Sequence, residues 1–219
     1  MKLLLTSQGI QKELEKDFLS LLSKPPQDNR VINITTASFG DHATRPKWLD
    51  TYITQLNKLG ITNIEEFDIR DKSQKELNIS LSNKDIIFVN GGNTFFLLDY
   101  IKKTGFDRII KESVYKGIIY IGISAGSYIT CPTIEQSTWE HQDRNRFGLT
   151  NLTALNFVPF LISAHFEEKY RKIIKNAALK TKYPIVALND HQAILVKDNK
   201  FKLVGEKSEN FFNGFKNTF

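Results

Sequence analysis

A chain of 219 residues, 41% hydrophobic and 25% charged, has the composition of a globular protein able to fold without disulfides or metal. Its net charge of +6 comes from lysines and arginines interleaved with acids, as in "KELEKD", "RDKSQKE" and "EEKYRKIIK", so composition offers no nucleic-acid-binding block. A single cysteine, Cys131, excludes an internal disulfide, and no apolar run approaches the roughly 18 residues of a membrane span; a cytoplasmic protein with one domain over residues 1–219 is expected.

In chain order, "KLLLT" (2–6) reads as a buried strand. Ile10, Leu14, Phe18, Leu21 and Leu22 then share a helical face that "KPPQDN" (24–29) closes. "RVINITT" (30–36) is strand-like, and "RPKWLDTYITQLNKLG" (45–60) is a helix with Pro46 in its first turn and Gly60 as its stop. "NIEEFDI" (63–69) is a weaker strand and "DIIFVN" (85–90) a strong one, leading into the glycine turn and helix of "GGNTFFLLDYIKKTG". "GIIYIGI" (117–123) is the next strand, and "SAGSYI" opens another helix. Segment 132–159 lacks periodicity and reads as a long loop of the kind that often carries function. Strands at 160–166 and 183–190 flank an amphipathic helix at 167–181, and 193–205 alternates around "KDN" as a C-terminal β-hairpin. Phe211, Phe212, Phe215 and Phe219 of the tail are expected to pack on the body. Strands alternating with helices predict an α/β fold: a doubly wound, mostly parallel sheet covered on both faces.

In such sheets ligands sit beyond the carboxyl ends of the strands. Ser124, His165 and Asp190 stand at three of these ends, and "NGGNT" (90–94) at a fourth. Ser124 lies in Gly-X-Ser-X-Gly between a strand and a helix, the setting of a nucleophile elbow, where small residues let the backbone turn sharply. Its alternative role is a helix cap. The N–H of Ala125 and one from the Gly91-Gly92 turn, taken as Gly92, are candidate oxyanion donors. His42 and His141 fall in loops and His191 follows the Asp190 strand end, which leaves His165 as the candidate base, or otherwise a core histidine. Asp190 is the first choice to orient it, with Glu135, Glu140 and Asp143 of the long loop as rivals. "NDH" (189–191) with His165 is a weak zinc pattern, so no metal or cofactor is expected. Cys131 reads as a buried small residue.

Taken in order, "FVNGGNTFFLL", "GISAGSYITCPTI", "ISAHF" and "IVALNDHQAILV" resemble the peptidase E (aspartyl dipeptidase) family, from the first strand to about residue 197. The resemblance implies a three-layer, class I glutamine amidotransferase-like fold, with Ser124 as nucleophile, His165 as base and an acid in "LND". That family has a glutamate where this chain has Asp190, and a further acid after its elbow for which Trp139 aligns and Glu140 is the nearest counterpart, the second-choice acid here. The arginine that reads an acidic substrate side chain in aspartyl dipeptidases has no aligned equivalent; Arg171 and Arg144 are its nearest substitutes. The expectation is a serine peptidase of short peptides with a Ser-His-Asp triad, acting as monomer or homodimer. An α/β-hydrolase-type esterase and a non-catalytic binding module are the alternatives.

Overall fold

The computed structural model describes residues 1–140 and 142–218; His141 and Phe219 lie outside them. The strands are β1 (Lys2–Thr6), β2 (Arg30–Ile34), β3 (Asn63–Phe67), β4 (Ile86–Val89), β5 (Ile119–Ile123), β6 (Leu161–Ser163), β7 (Ile185–Ala187), β8 (Gln192–Lys197), β9 (Lys200–Gly205) and β10 (Phe211–Phe212). The α-helices are α1 (Glu15–Leu19), α2 (Leu49–Lys58), α3 (Gln74–Leu81), α4 (Thr94–Thr104), α5 (Phe106–Tyr115), α6 (Ala125–Tyr128) and α7 (Arg171–Ala178).

Seven strands form the main sheet in the order β3-β2-β4-β5-β1-β8-β9. The first five are parallel, and β8 and β9 add antiparallel at the β1 edge, joined through Asp198 and Asn199, both at positive φ. Alternation along the strands divides the core in two. Leu3 and Leu5 of β1, Ile87 and Val89 of β4 and Tyr120 of β5 pack with α3, α4 and α5 on one face. Leu4, Ile86, Phe88, Ile119, Ile121 and Ile123 pack with α1 and α2 on the other. Strands buried on both faces are continuously apolar, which is why "IIFV" and "IYIGI" carry no charged residue and only the Tyr120 hydroxyl as a polar side-chain group. Among the described residues no helix is long and apolar enough to cross a membrane.

Two expectations need correction, and two helices add to them. The 160–166 and 183–190 segments do not join the main sheet; β6 and β7 pair parallel in a separate three-stranded sheet with β10 antiparallel to β7. The apolar periodicity of residues 10–22 does not produce one long helix. Ile10, Leu14, Phe18 and Leu21 are buried, but by a 3-10 turn and the five-residue α1, so the same face packs with less helix. Helices α3 and α5 were not anticipated. The first had a legible signal, the reciprocal cap of Ser73 and Glu76. The second begins directly after Gly105, whose φ of 71° ends α4. Of the tail, Phe212 and Phe215 are buried, with Phe215 edge-on to Phe160.

Candidate active site

Because β4, β5 and β1 are neighbours, their carboxyl ends deliver Gly91-Gly92, Ser124 and Ser7 to one place. The turn after β5 is tight: Ser124 has φ 47° and ψ −104°, a strained conformation for a residue with a side chain. A Cβ on Gly122 would stand 2.6 Å from the carbonyl oxygen of Gly126, and one on Gly126 would run into the carbonyl oxygen of Val89. Both glycines are therefore required for α6 to lie against the sheet. The backbone around the turn is tied to β1 and β5. Ser124 N–H donates to the Thr6 carbonyl (3.0 Å), as does Ser127 Oγ (2.8 Å), and the Tyr120 hydroxyl donates to the Gly126 carbonyl (2.6 Å).

Gly92 sits at φ 129°, and a Cβ there would collide with the Ala37 carbonyl, so the β4 turn is pressed onto the segment after β2. The N–H groups of Gly92 and Ala125 have no hydrogen-bond acceptor among the described residues.

His165 and Asp190 arrive from the small sheet, each a few residues past the end of its strand. His165 has φ 56° and is held on both flanks: Ala164 N–H donates to the Tyr128 hydroxyl (2.8 Å) and Phe166 N–H to the Leu188 carbonyl (2.9 Å). Its ring places Nε2 3.2 Å from Ser124 Oγ and Nδ1 2.7 Å from Asp190 Oδ1. A carboxylate only accepts, so Nδ1 carries the proton and Nε2 is free to accept from the serine. The bond from His165 holds the Asp190 carboxyl below the usual carboxylate range, against the opposing effect of burial.

Among the described residues none of the rival acids hydrogen-bonds to the His165 ring. Glu135 and the exposed Glu140 line a groove of about 780 Å³ against α7, with Lys169, Lys172 and Lys180, and His165 is not part of that lining. Asp143 reaches the amino end of α4, accepting from Thr94 N–H (2.8 Å) and Thr94 Oγ1 (2.5 Å), and burial raises its carboxyl. His191 turns to Glu13 (3.3 Å), His42 is on an exposed loop, and His141 is outside the described residues. Arg171 pairs with Glu168 and Asn210, and Arg144 is exposed. Cys131 is fully buried, which pushes its thiol up to about 12.

Two groups escaped the reading of the sequence. Ser7 Oγ contacts both Asp190 and the His165 backbone. Tyr128 is fully buried, its hydroxyl joining Ala164 to Gln142 of the long loop. "TSQ" (6–8) at the carboxyl end of the first strand was the available signal for Ser7. Ser124 and His165 open onto a cleft of about 270 Å³ walled by Gln8, Trp48, Thr51 and Tyr52. Among the described residues no Asp, Glu, Lys or Arg lines it, and burial pushes the Tyr52 phenol up to about 12, so it is neutral at pH 7.

Comparison with known proteins gives a consistent family. The model for peptidase family S51 matches residues 3–204. An uncharacterised peptidase of Listeria monocytogenes is 37% identical over 177 residues, covering 78% of this chain and 83% of its own. A peptidase E of Nostoc is 29% identical over 138 residues, covering 58% and 55%. The crystal structure of a candidate peptidase E protein from Listeria monocytogenes EGD-e superposes with a TM-score of 0.79 at 32% identity, covering 94% of this chain and 98% of that one.

Proposed function

The chain belongs to the peptidase E family, peptidase family S51, and we propose that it is a serine peptidase hydrolysing dipeptides or similarly small amides through an acyl-enzyme on Ser124. The observation that carries this reading is the continuous relay from Ser124 Oγ through His165 to Asp190, at 3.2 and 2.7 Å. A serine hydroxyl needs a base, and a neutral imidazole oriented by a carboxylate is one.

In this mechanism Ser124 Oγ bonds to the scissile carbonyl carbon as its proton passes to His165 Nε2. Asp190 stabilises the imidazolium. The carbonyl oxygen becomes an oxyanion held by the free N–H groups of Gly92 and Ala125; losing one such donor typically costs about 3–4 kcal/mol of transition-state stabilisation. The imidazolium then protonates the leaving amine, the C–N bond breaks, and water repeats the sequence to release the acid and restore Ser124. The strained Ser124 backbone and its two glycines fit a nucleophile elbow. The strand order, with helices on both faces, fits the three-layer class I glutamine amidotransferase-like fold. His165 preceding Asp190 argues against an α/β-hydrolase esterase, where the acid comes first.

The cleft also bears on the substrate. Aromatic and neutral walls favour an uncharged side chain beside the scissile bond over an acidic one. A dipeptide panel with wild type and Ser124→Ala tests both points. Hydrolysis of peptides with neutral first residues, abolished in the variant, is expected; equal hydrolysis by both proteins would end the serine-peptidase reading.

A further inference from the structure

We propose that Ser7 is a positioning residue, its hydroxyl clamping the Asp190 carboxylate and the His165 backbone to the end of the main sheet. The inference rests on the serine-peptidase reading. Ser7 follows β1 directly and is fully buried. Its Oγ donates to Asp190 Oδ1 (2.7 Å) and accepts from His165 N–H (2.8 Å). The same Asp190 oxygen receives His165 Nδ1–H at 2.7 Å, so serine, histidine and aspartate close a three-membered ring of hydrogen bonds.

The position of Ser7 gives that ring a purpose. Thr6 is in register with Ile123 across the β1–β5 pair, and the Thr6 carbonyl accepts the Ser124 N–H (3.0 Å). Residues 6 and 7 therefore fix both halves of the site: the carbonyl of one holds the Ser124 turn, and the hydroxyl of the other holds the base and its acid. Without that hydroxyl the small sheet would keep its packing, but the imidazole would lose the anchor that sets its distance from Ser124. His165 N–H, in a left-handed residue, would also lose its acceptor. Ser7 is absent from the cleft wall, where its neighbour Gln8 stands, so it does not touch substrate. The groups around the Asp190 carboxylate are His165, Ser7, His191 and the Tyr52 phenol, and the Asp143 carboxyl faces His165 from the long loop; of these, His165 and then Ser7 hydrogen-bond to Asp190 and lower its carboxyl.

The test measures kcat, KM and the acid limb of kcat/KM for Ser7→Ala, Ser7→Thr and Ser124→Ala on the best dipeptide. Ser7→Ala should lower kcat roughly 10- to 100-fold, the scale of a mispositioned catalytic group. Its KM should stay within about two-fold, since no substrate contact is lost. The acid limb, which reports the His165–Asp190 pair, should move to higher pH, because the carboxylate oxygen loses a donor that competes with His165 Nδ1–H for it. Ser7→Thr, which keeps the hydroxyl, should recover most of kcat and return the limb. A Ser7→Ala enzyme with wild-type kcat and limb, or one whose loss comes with an unmoved limb and is not recovered by threonine, would overturn the inference. Should Ser7→Ala not fold, Ser7→Cys, a weaker donor of similar shape, decides by the same kcat, KM and limb readings. Activity surviving in Ser124→Ala would instead count against the peptidase mechanism and leave the role of Ser7 without its premise.

Discussion

The two halves of the site are built differently. Ser124 leaves β5, a strand buried along its whole length and paired on both sides, in register with β4 and β1. His165 and Asp190 leave β6 and β7, strands of three residues in a small sheet, and their side chains remain 41% and 48% exposed. Strain persists only where surroundings over-determine it. At Ser124 the surroundings are backbone packed against backbone, with glycines where any Cβ would collide. At His165, also left-handed, they are two side-chain hydroxyls, Tyr128 and Ser7, accepting consecutive N–H groups. Substitutions on the first side should act through packing, and on the second through hydrogen bonds.

The largest expected effect strikes the meeting point of the halves. Ser124→Ala should lower kcat by roughly 10⁴- to 10⁶-fold, in line with loss of a serine nucleophile, with an unchanged circular dichroism spectrum. Next, Gly126→Ala should destabilise the fold by about 1–3 kcal/mol, because the new methyl meets the Val89 carbonyl rather than a flexible side chain; urea unfolding measures it. Tyr128→Phe tests the other half. It leaves the Ala164 N–H without its buried partner, costing about 1–3 kcal/mol in the same assay, and should lower kcat as well. If Gly126→Ala were neutral while Tyr128→Phe were severe, the contrast between the halves would be reversed.

How much of this was legible in the sequence follows the same division. Gly122, Ser124 and Gly126 are a local signal, because the collisions that require glycine involve residues inside the motif or the adjoining strand. His165 and Asp190 are readable as strand ends, but the same pattern assigns those strands to the main sheet, which they do not join. Short parallel strands have the same apolar pattern whichever sheet they join. Ser7 carries no pattern, since its partners lie 183 and 158 residues away, and only the strand-end rule applied to β1 would have singled it out. The role of Asp143 at the α4 amino end likewise depends on how the long loop folds back.

Two smaller effects sharpen the comparison. Ser124→Gly removes the side chain from the strained position and should raise stability by about 1 kcal/mol while abolishing activity, a trade expected only where the backbone is strained. The smallest effect is a pH dependence. The folded Asp190 carboxyl lies below its usual value, so its pairing contributes stability at and above the ordinary aspartate value of about 3.9, and that contribution is lost as pH falls through the folded value. Asp190→Asn should therefore be less stable than wild type at pH 7, and the gap should close below that range. A gap that widens on acidification would contradict the pairing with His165.

The central claim, that Ser124 is a nucleophile activated by His165, is tested most directly by a fluorophosphonate and intact-protein mass spectrometry. The account predicts one adduct, mapped to Ser124, absent in Ser124→Ala and formed far more slowly in His165→Ala. No adduct on the folded wild-type protein, or labelling at unchanged rate without His165, would contradict it.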